Sequence, residues 1–217
     1  MLLGHFGIAL AAKQKLPRVS LGLLFAASLF QDLICLSLLL FNVESVRHDP
    51  GNTVVTPIDF VHYPYSHSLL MAVIWSVAFA LIMRAKKFSA QESAWLGILT
   101  FSHWLLDWIS HGKDLALYPG SSLRLGLGLW NFLVPTIVLE AILMAGGIYL
   151  YTRLTSAKNR IGSAGFWGLV FFLVMIYFIV VFFLSAPTKG LLAVSLAGLL
   201  LTLAAGHRID CERKLRS

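Results

Sequence analysis

The chain has 217 residues, of which 58% are hydrophobic and 12% are charged, and its formal net charge is +7. An ordinary soluble domain is about 45–50% apolar and about 25% charged, so this composition argues against a soluble enzyme, a disordered chain and a coiled coil. We therefore expect an integral membrane protein of the all-α class, a polytopic helical bundle in which residues 1–217 form a single transmembrane domain.

The first apolar stretch, residues 1–12, is too short to cross a bilayer. As a helix it reaches only about 18 Å, whereas the hydrocarbon core of a membrane is about 30 Å thick. The stretch either lies on the membrane surface or dips back into the bundle as a short half-helix. His5 and the small residues Gly4 and Gly7 keep the second option open.

Six further apolar runs are long enough, or nearly so, to cross a membrane, which takes about 20 residues. In the fourth run, Pro135 allows a kink. Glu140 of the same run has no partner in the pattern, and a structural role across helices is as good an explanation for it as a functional one. The six runs are 19–41, 68–83, 93–110, 125–151, 164–184 and 190–206.

Connecting segments that are rich in Lys and Arg alternate along the chain with segments that contain few of them. Of the 17 Lys and Arg residues, 13 lie in the segments 1–18, 84–92, 152–163 and 207–217, and 4 lie in the intervening loops. The positive-inside rule therefore predicts a multi-pass protein of the inner or plasma membrane with six spans and both termini in the cytoplasm. Because topology accounts for the positive charge, no nucleic-acid partner is expected.

Ionisable side chains inside apolar spans are costly and tend to mark function. The third span carries His103, Asp107 and His111 at intervals of four residues, which places them on one helical face. At about 1.5 Å per residue, these groups, Asp32 of the first span and His67 of the second come to the outer half of the membrane.

A second cluster, HYPYSHS, places His62 and His67 just before the second span. Neutral imidazole and ionised carboxylate are the ligands that divalent transition metals prefer, and a His and a carboxylate one helical turn apart can bind one ion together. A single His in a span is more often a packing residue, but several such groups at one depth favour a metal site.

At these residues the sequence resembles the YdjM-type family of membrane-bound, predicted metal-dependent hydrolases. HYPYSHS matches a His-Arg-Gly-x-x-His-Ser element without its Arg-Gly, and SHWLLDWISHGKDLALYP matches an element of His, three apolar residues and Asp. FQDLI matches a Pro-Asp-x-Asp element but has Gln31 and Ile34 in place of the Pro and the second Asp. A His near the N-terminus is also usual, and His5 fits it.

The resemblance covers roughly residues 1–135, which leaves 136–217 as additional helices. It implies a metal-dependent hydrolase. The family is thought to be distantly similar to the zinc-dependent phospholipase C and nuclease P1 group, which implies phosphoester cleavage by analogy.

The resulting hypothesis is a site that holds one or two divalent ions, zinc or manganese. Asp32 and His5 complete the ligand shell. The principal ligands are His62, His67, His103 and Asp107.

Asp32 and His111 are the candidate general base and acid of this hypothesis. The position near the outer interface favours a lipid or lipid-like phosphoester as the substrate, drawn from the surrounding bilayer. Arg124 and Lys113 at the same rim could hold its phosphate.

Two alternatives use the same cluster without hydrolysis. His67 and His103 on adjacent spans could be the axial ligands of a haem, although Asp32 and Asp107 would then have no role. A transporter could use Asp32, Glu140 and the histidines as a proton or metal relay, but the sequence lacks the paired halves that transporters often show.

Overall fold

Helices make up most of the chain in the computed structural model, which describes residues 1–183 and 186–216. In chain order the helices are α1 (Leu2–Ala12), α2 (Leu21–Ser28), α3 (Phe30–Leu40), α4 (Pro64–His67), α5 (Leu69–Ala85), α6 (Ala90–Ser110), α7 (Leu133–Leu154), α8 (Phe166–Phe183) and α9 (Lys189–Cys211). A π-helical turn, Ile161–Gly165, leads directly into α8.

The connecting segments contain short antiparallel strand pairs, so the fold is mostly helical rather than purely helical as the sequence predicted. The first two pairs each lie within one loop between helices, and the third joins the tail to the connection between α7 and α8. The strands are β1 (Ser45–His48) with β2 (Ile58–His62), β3 (Leu115–Ala116) with β4 (Arg124–Leu125), and β5 (Thr155–Ala157) with β6 (Arg213–Leu215).

Within the described residues, three helices are long and apolar enough to cross a membrane, and a fourth span is added if the bent pair α2–α3 counts as one. The six predicted spans are therefore not confirmed. Helix α5 has 17 residues, about one turn fewer than a membrane span usually takes. The polar residues of α6 lower its mean hydropathy. Helix α8 is apolar on every side and exposes large side chains such as Phe171, which suits contact with lipid.

The predicted first span, 19–41, is broken into α2 and α3, whose axes differ by 61°. Ser20 caps the start of α2 by accepting a hydrogen bond from the backbone N–H of Leu23. At Leu29 the backbone leaves the helical region, with φ −109° and ψ 16°. This bend places Asp32 in the first turn of a new helix.

The predicted fourth span, 125–151, begins later than expected. Residues before Leu133 form β4 and a 3-10 turn, and α7 starts with Pro135 in its first turn. Proline is tolerated there because the first N–H groups of a helix have no intrahelical acceptor.

Helix α1 is inserted into the bundle, which decides between the two options left open by the sequence. Its residues are largely buried, and it packs along α7. Gly7 and Gly147 lie at the closest approach, where a Cβ on either glycine would collide with the backbone of the other helix. The absence of side chains at these two positions therefore sets the separation of α1 and α7.

We expect Gly147→Ala to destabilise the protein by about 1–3 kcal/mol, the usual cost of overpacking. Its neighbour Gly146 supplies a matched control, because a Cβ there meets no atom within 4 Å. Thermal unfolding in detergent should show a lower midpoint for Gly147→Ala than for Gly146→Ala. Equal midpoints for the two variants would contradict the close α1–α7 contact.

The basic segments that the sequence grouped on one side of the membrane do meet at one end of the bundle. Lys13 forms an ion pair with Asp210 at 2.5 Å, and the β5–β6 pair joins the 152–163 segment to the tail. Lys15 lies 5.9 Å from the ring centroid of Trp95, near the start of α6. This arrangement agrees with the alternation of the charges, while the cytoplasmic placement of this end stays a prediction.

Candidate metal centre

Five sequence-predicted residues converge from four helices on one point of the bundle. They come from α1, from the first turn of α3, from the end of α4 and from two successive turns of α6. Within the described residues they form two overlapping groups whose ligand atoms lie within 4.8 Å of one another. The groups are His5, His103 and Asp107, and Asp32, His67 and His103.

The ligand atoms of His67, His103 and Asp107 are spaced as a tetrahedral metal site requires, and Asp32 lies beside them. His103 Nε2 lies 3.0 Å from Asp107 Oδ2, and His67 Nε2 lies 3.5 Å from the same oxygen. The two Nε2 atoms are 3.3 Å apart. Asp32 Oδ1 lies 3.7 Å from His67 Nε2 and 3.6 Å from His103 Nε2. Ligands at 2.0–2.1 Å from a tetrahedral zinc ion are about 3.3–3.4 Å apart, so the observed distances scatter around the required value.

The hydrogen bonds of the two imidazoles fix which nitrogen faces the site. His103 Nδ1 lies 2.8 Å from the carbonyl oxygen of Ser28, which can only accept, so Nδ1 carries the proton. Ser66 Oγ donates to Glu44 Oε2 at 2.6 Å, so its hydrogen is already used. His67 Nδ1, 2.7 Å from Ser66 Oγ, must then be the donor in that contact.

In their neutral forms, His67 and His103 therefore direct two Nε2 lone pairs at each other across 3.3 Å, beside two carboxylates. Such a set of acceptors repels itself unless a proton or a metal ion lies among them. This is the donor chemistry of a divalent metal site, and the residues present fit it.

Glu44, Ser66 and Ser28 support the two imidazoles through hydrogen bonds, and the sequence reasoning missed them. Glu44 is buried and also accepts hydrogen bonds from the backbone N–H groups of Tyr65 and Ser66, both at 2.9 Å, at the start of α4. Partners of this kind orient metal-binding histidines. Ser66 adjoins His67 in HYPYSHS and could have been noticed, whereas Glu44 and Ser28 are far away in sequence and carry no local signal.

The two oxygens of Asp107 contact different partners. Its Oδ2 faces His67 and His103, and its Oδ1 lies 3.2 Å from His5 Nε2 and 2.7 Å from the amino group of Met1. The His5 ring stacks on the His103 ring with centroids 3.8 Å apart. His5 Nδ1 is buried and has no hydrogen-bond partner among the described residues. The ammonium group beside Asp107 shows that this side of the carboxylate also attracts positive charge.

Two predicted site residues do not join the groups. His62 is exposed on β2, with its ring centroid 5.9 Å from that of Tyr65. His111 is buried, but its Nδ1 lies 3.2 Å from Asp114 Oδ2 and 3.3 Å from Tyr63 Oη. Helix α6 ends at Ser110, and His111 is extended, with φ −65° and ψ 151°, so the helical stripe stops before it.

Tyr63 lies between His111 and the metal centre. Its ring centroid is 5.4 Å from that of His67 and 5.9 Å from that of His111. Burial, reinforced by the nearby carboxylate of Asp114, raises the pKa of the Tyr63 phenol well above its usual value. The phenol therefore stays protonated and remains a hydrogen-bond donor.

Access to the centre is on the side of Asp32. The Asp32 side chain is 36% exposed, whereas those of His67 and Asp107 are each 4% exposed and that of His103 is fully buried. A water molecule or a substrate would therefore reach the site past Asp32.

Comparison with known proteins adds one finding. The family described as YdjM inner membrane protein matches residues 1–206, which includes the site and nearly all of the later helices. The match extends well beyond the 1–135 region that carries the motifs. No curated protein and no solved structure matches the chain.

Proposed function

The chain belongs to the YdjM inner membrane protein family, and from that membership and its His/Asp centre we propose that it is a membrane-embedded, metal-dependent hydrolase. The substrate is a phosphoester of a lipid or lipid-like molecule. One observation carries the proposal: the paired Nε2 atoms of His67 and His103 meet two carboxylates at distances suited to one metal ion.

Zinc is the proposed ion, and manganese is the alternative, because the donors are imidazole nitrogens and carboxylate oxygens. His67, His103 and Asp107 would hold it, and Asp32 would lie beside it as the base. A bound divalent ion lowers the pKa of water towards about 7 and neutralises charge that develops on a phosphoryl oxygen.

The chain's own residues supply the proton transfers of the proposed reaction. Asp32 is the most accessible group of the centre and accepts a proton from the attacking water as its oxygen bonds to phosphorus. The bond from phosphorus to the ester oxygen breaks, and that oxygen takes up the proton that Asp32 accepted. His111, the other catalytic candidate, is paired with Asp114 and lies beyond Tyr63, so it does not take this role.

The proposed substrate class follows from where the centre lies. The family is an inner membrane family, and the bundle exposes apolar helix faces suited to lipid. If the basic end of the bundle faces the cytoplasm, as the charge distribution predicts, the centre lies in the outer half of the membrane. A phosphoester in a lipid head group would be within reach there.

The two alternative functions have less support. Glu140, which a proton relay would use, instead accepts hydrogen bonds from the backbone N–H groups of Leu3 and Gly4. A haem would require Nε2 atoms on opposite faces of the porphyrin, whereas those of His67 and His103 share one small space with two carboxylates.

We expect the detergent-purified protein to hydrolyse phosphoesters only while it holds a divalent ion. Activity towards p-nitrophenyl phosphate, bis-p-nitrophenyl phosphate and phospholipid in mixed micelles should fall to background after chelation. Zinc or manganese should restore it, and the as-purified protein should contain near-stoichiometric metal. Metal at background, or full activity after chelation, would contradict the proposal.

A further inference from the structure

A small open pocket lies next to the metal centre but contains none of the residues of its two groups. Its volume is about 130 Å³, and it lies between the end of β2 and the β3–β4 pair. Five of its lining residues bear on what it binds: His62, Tyr63, Asp114, Ser121 and Arg124. Tyr63 is the shared wall, because its ring also packs against His67.

One side of the pocket suits an anion. The Arg124 guanidinium donates through Nη1 to the carbonyl oxygen of Ser121, which holds the side chain along the pocket. Guanidinium groups bind phosphate through paired N–H donors. His62, exposed at the same pocket, adds an imidazole that can donate to an anionic oxygen.

The other side of the pocket offers a hydrogen-bond acceptor. The Asp114 side chain lines it and is 27% exposed, and its Oδ2 pairs with His111. An ionised carboxylate can accept several hydrogen bonds, so Asp114 can also accept one from a donor group of a ligand. The pocket thus pairs a site for an anion with a site for a donor.

The pocket has room for a small ligand. Its volume of about 130 Å³ is about ten times the roughly 10–15 Å³ of cavity space that one water molecule needs. A phosphate with a short polar substituent fits this space.

We infer that this pocket binds a phosphate ester whose substituent carries an ammonium or hydroxyl group, as the head group of a phospholipid does. The inference rests on the proposed function, because it makes the pocket the head-group site beside the hydrolytic centre. It also gives His62 a role in holding the substrate, outside the metal ligands.

Binding of soluble head-group analogues to the full chain in detergent tests the inference. Calorimetry on chelator-treated protein would use glycerophosphoethanolamine, inorganic phosphate and ethanolamine. We expect glycerophosphoethanolamine to bind more tightly than either fragment. Arg124→Gln should weaken both phosphate-containing ligands at least tenfold, and Asp114→Asn should weaken only the two ligands that carry the amine.

Arg47→Gln is the matched control, because Arg47 is an exposed arginine that pairs with Asp59 on the β1–β2 strand pair and does not line the pocket. Equal affinity of the wild type and Arg124→Gln for all three ligands, or no binding at millimolar concentration, would overturn the inference. Phosphoester hydrolysis that Arg124→Gln leaves unchanged would also overturn it while leaving the proposed function intact. Binding without any hydrolysis by the metal-loaded protein would support the pocket and reject the proposed function.

Discussion

Replacing His103 with Asn is expected to abolish binding of the divalent metal while leaving the fold intact. His103 is the one residue shared by both groups of the centre, and loss of an outer partner alone typically lowers metal affinity 10–100-fold. Loss of this ligand should therefore lower zinc affinity at least about 100-fold and reduce hydrolysis to background.

The asparagine variant separates two roles of the His103 side chain: its hydrogen bond through Nδ1 and its metal-facing atom Nε2. Its amide nitrogen occupies a position close to that of Nδ1 and can still donate to the Ser28 carbonyl oxygen. It has no counterpart of Nε2, the atom that faces His67 and Asp107. The thermal midpoint of the chelated variant should therefore stay near that of the chelated wild type.

Two measurements test this prediction. One is the metal content of the variant after desalting, and the other is its zinc affinity, obtained by competition with a chelator. His48→Asn is the matched control, because His48 is an exposed imidazole on β1. The control should keep both the metal and the activity. The metal-centre hypothesis fails if His103→Asn and His48→Asn retain equal amounts of zinc.

Local periodicity was enough to predict the part of the centre that lies within one helix. His103 and Asp107 are four residues apart, and in α6 their Nε2 and Oδ2 atoms lie 3.0 Å from each other. The same periodicity predicted that His111 would join them. It does not, because α6 ends at Ser110, where the predicted third span also ends, and His111 has an extended backbone.

The bend between α2 and α3 shows what hydropathy cannot detect. Residues 23–41 contain neither proline nor glycine, and the apolar run is nearly continuous. The reasons for the bend are long-range: Gln31 donates to the carbonyl oxygen of Thr100, and the Ser28 carbonyl oxygen accepts from His103. Such contacts join residues about 70 positions apart, so they leave no periodic signal in either segment.

The role of Glu140 could not be read from the sequence for the same reason. Its Oε2 accepts hydrogen bonds from the backbone N–H groups of Leu3 at 2.6 Å and Gly4 at 3.2 Å. The first N–H groups of a helix lack intrahelical acceptors and carry partial positive charge. Glu140 therefore caps α1 from a different helix, at a position where no water replaces it because the residue is 1% exposed.

Glu140→Ala is accordingly expected to be among the most destabilising single changes in the bundle. It leaves two buried N–H groups without an acceptor, at about 1–3 kcal/mol each, which suggests a loss of about 2–6 kcal/mol. Glu140→Gln keeps an acceptor oxygen and should recover part of that loss. Unfolding in detergent, followed by circular dichroism against denaturant or temperature, would measure both variants.

The matched comparison is Glu92→Ala, which removes the solvent-accessible glutamate that caps α6 by accepting from the Ser89 N–H. Water can replace that carboxylate, so a smaller loss is expected, within about 0.5–2 kcal/mol for a helix cap. If Glu140→Ala costs no more than Glu92→Ala, α1 does not depend on this cap. If it costs several times more, Glu140 stabilises the inserted helix that carries His5 to the metal centre, and its charge serves the fold of the site.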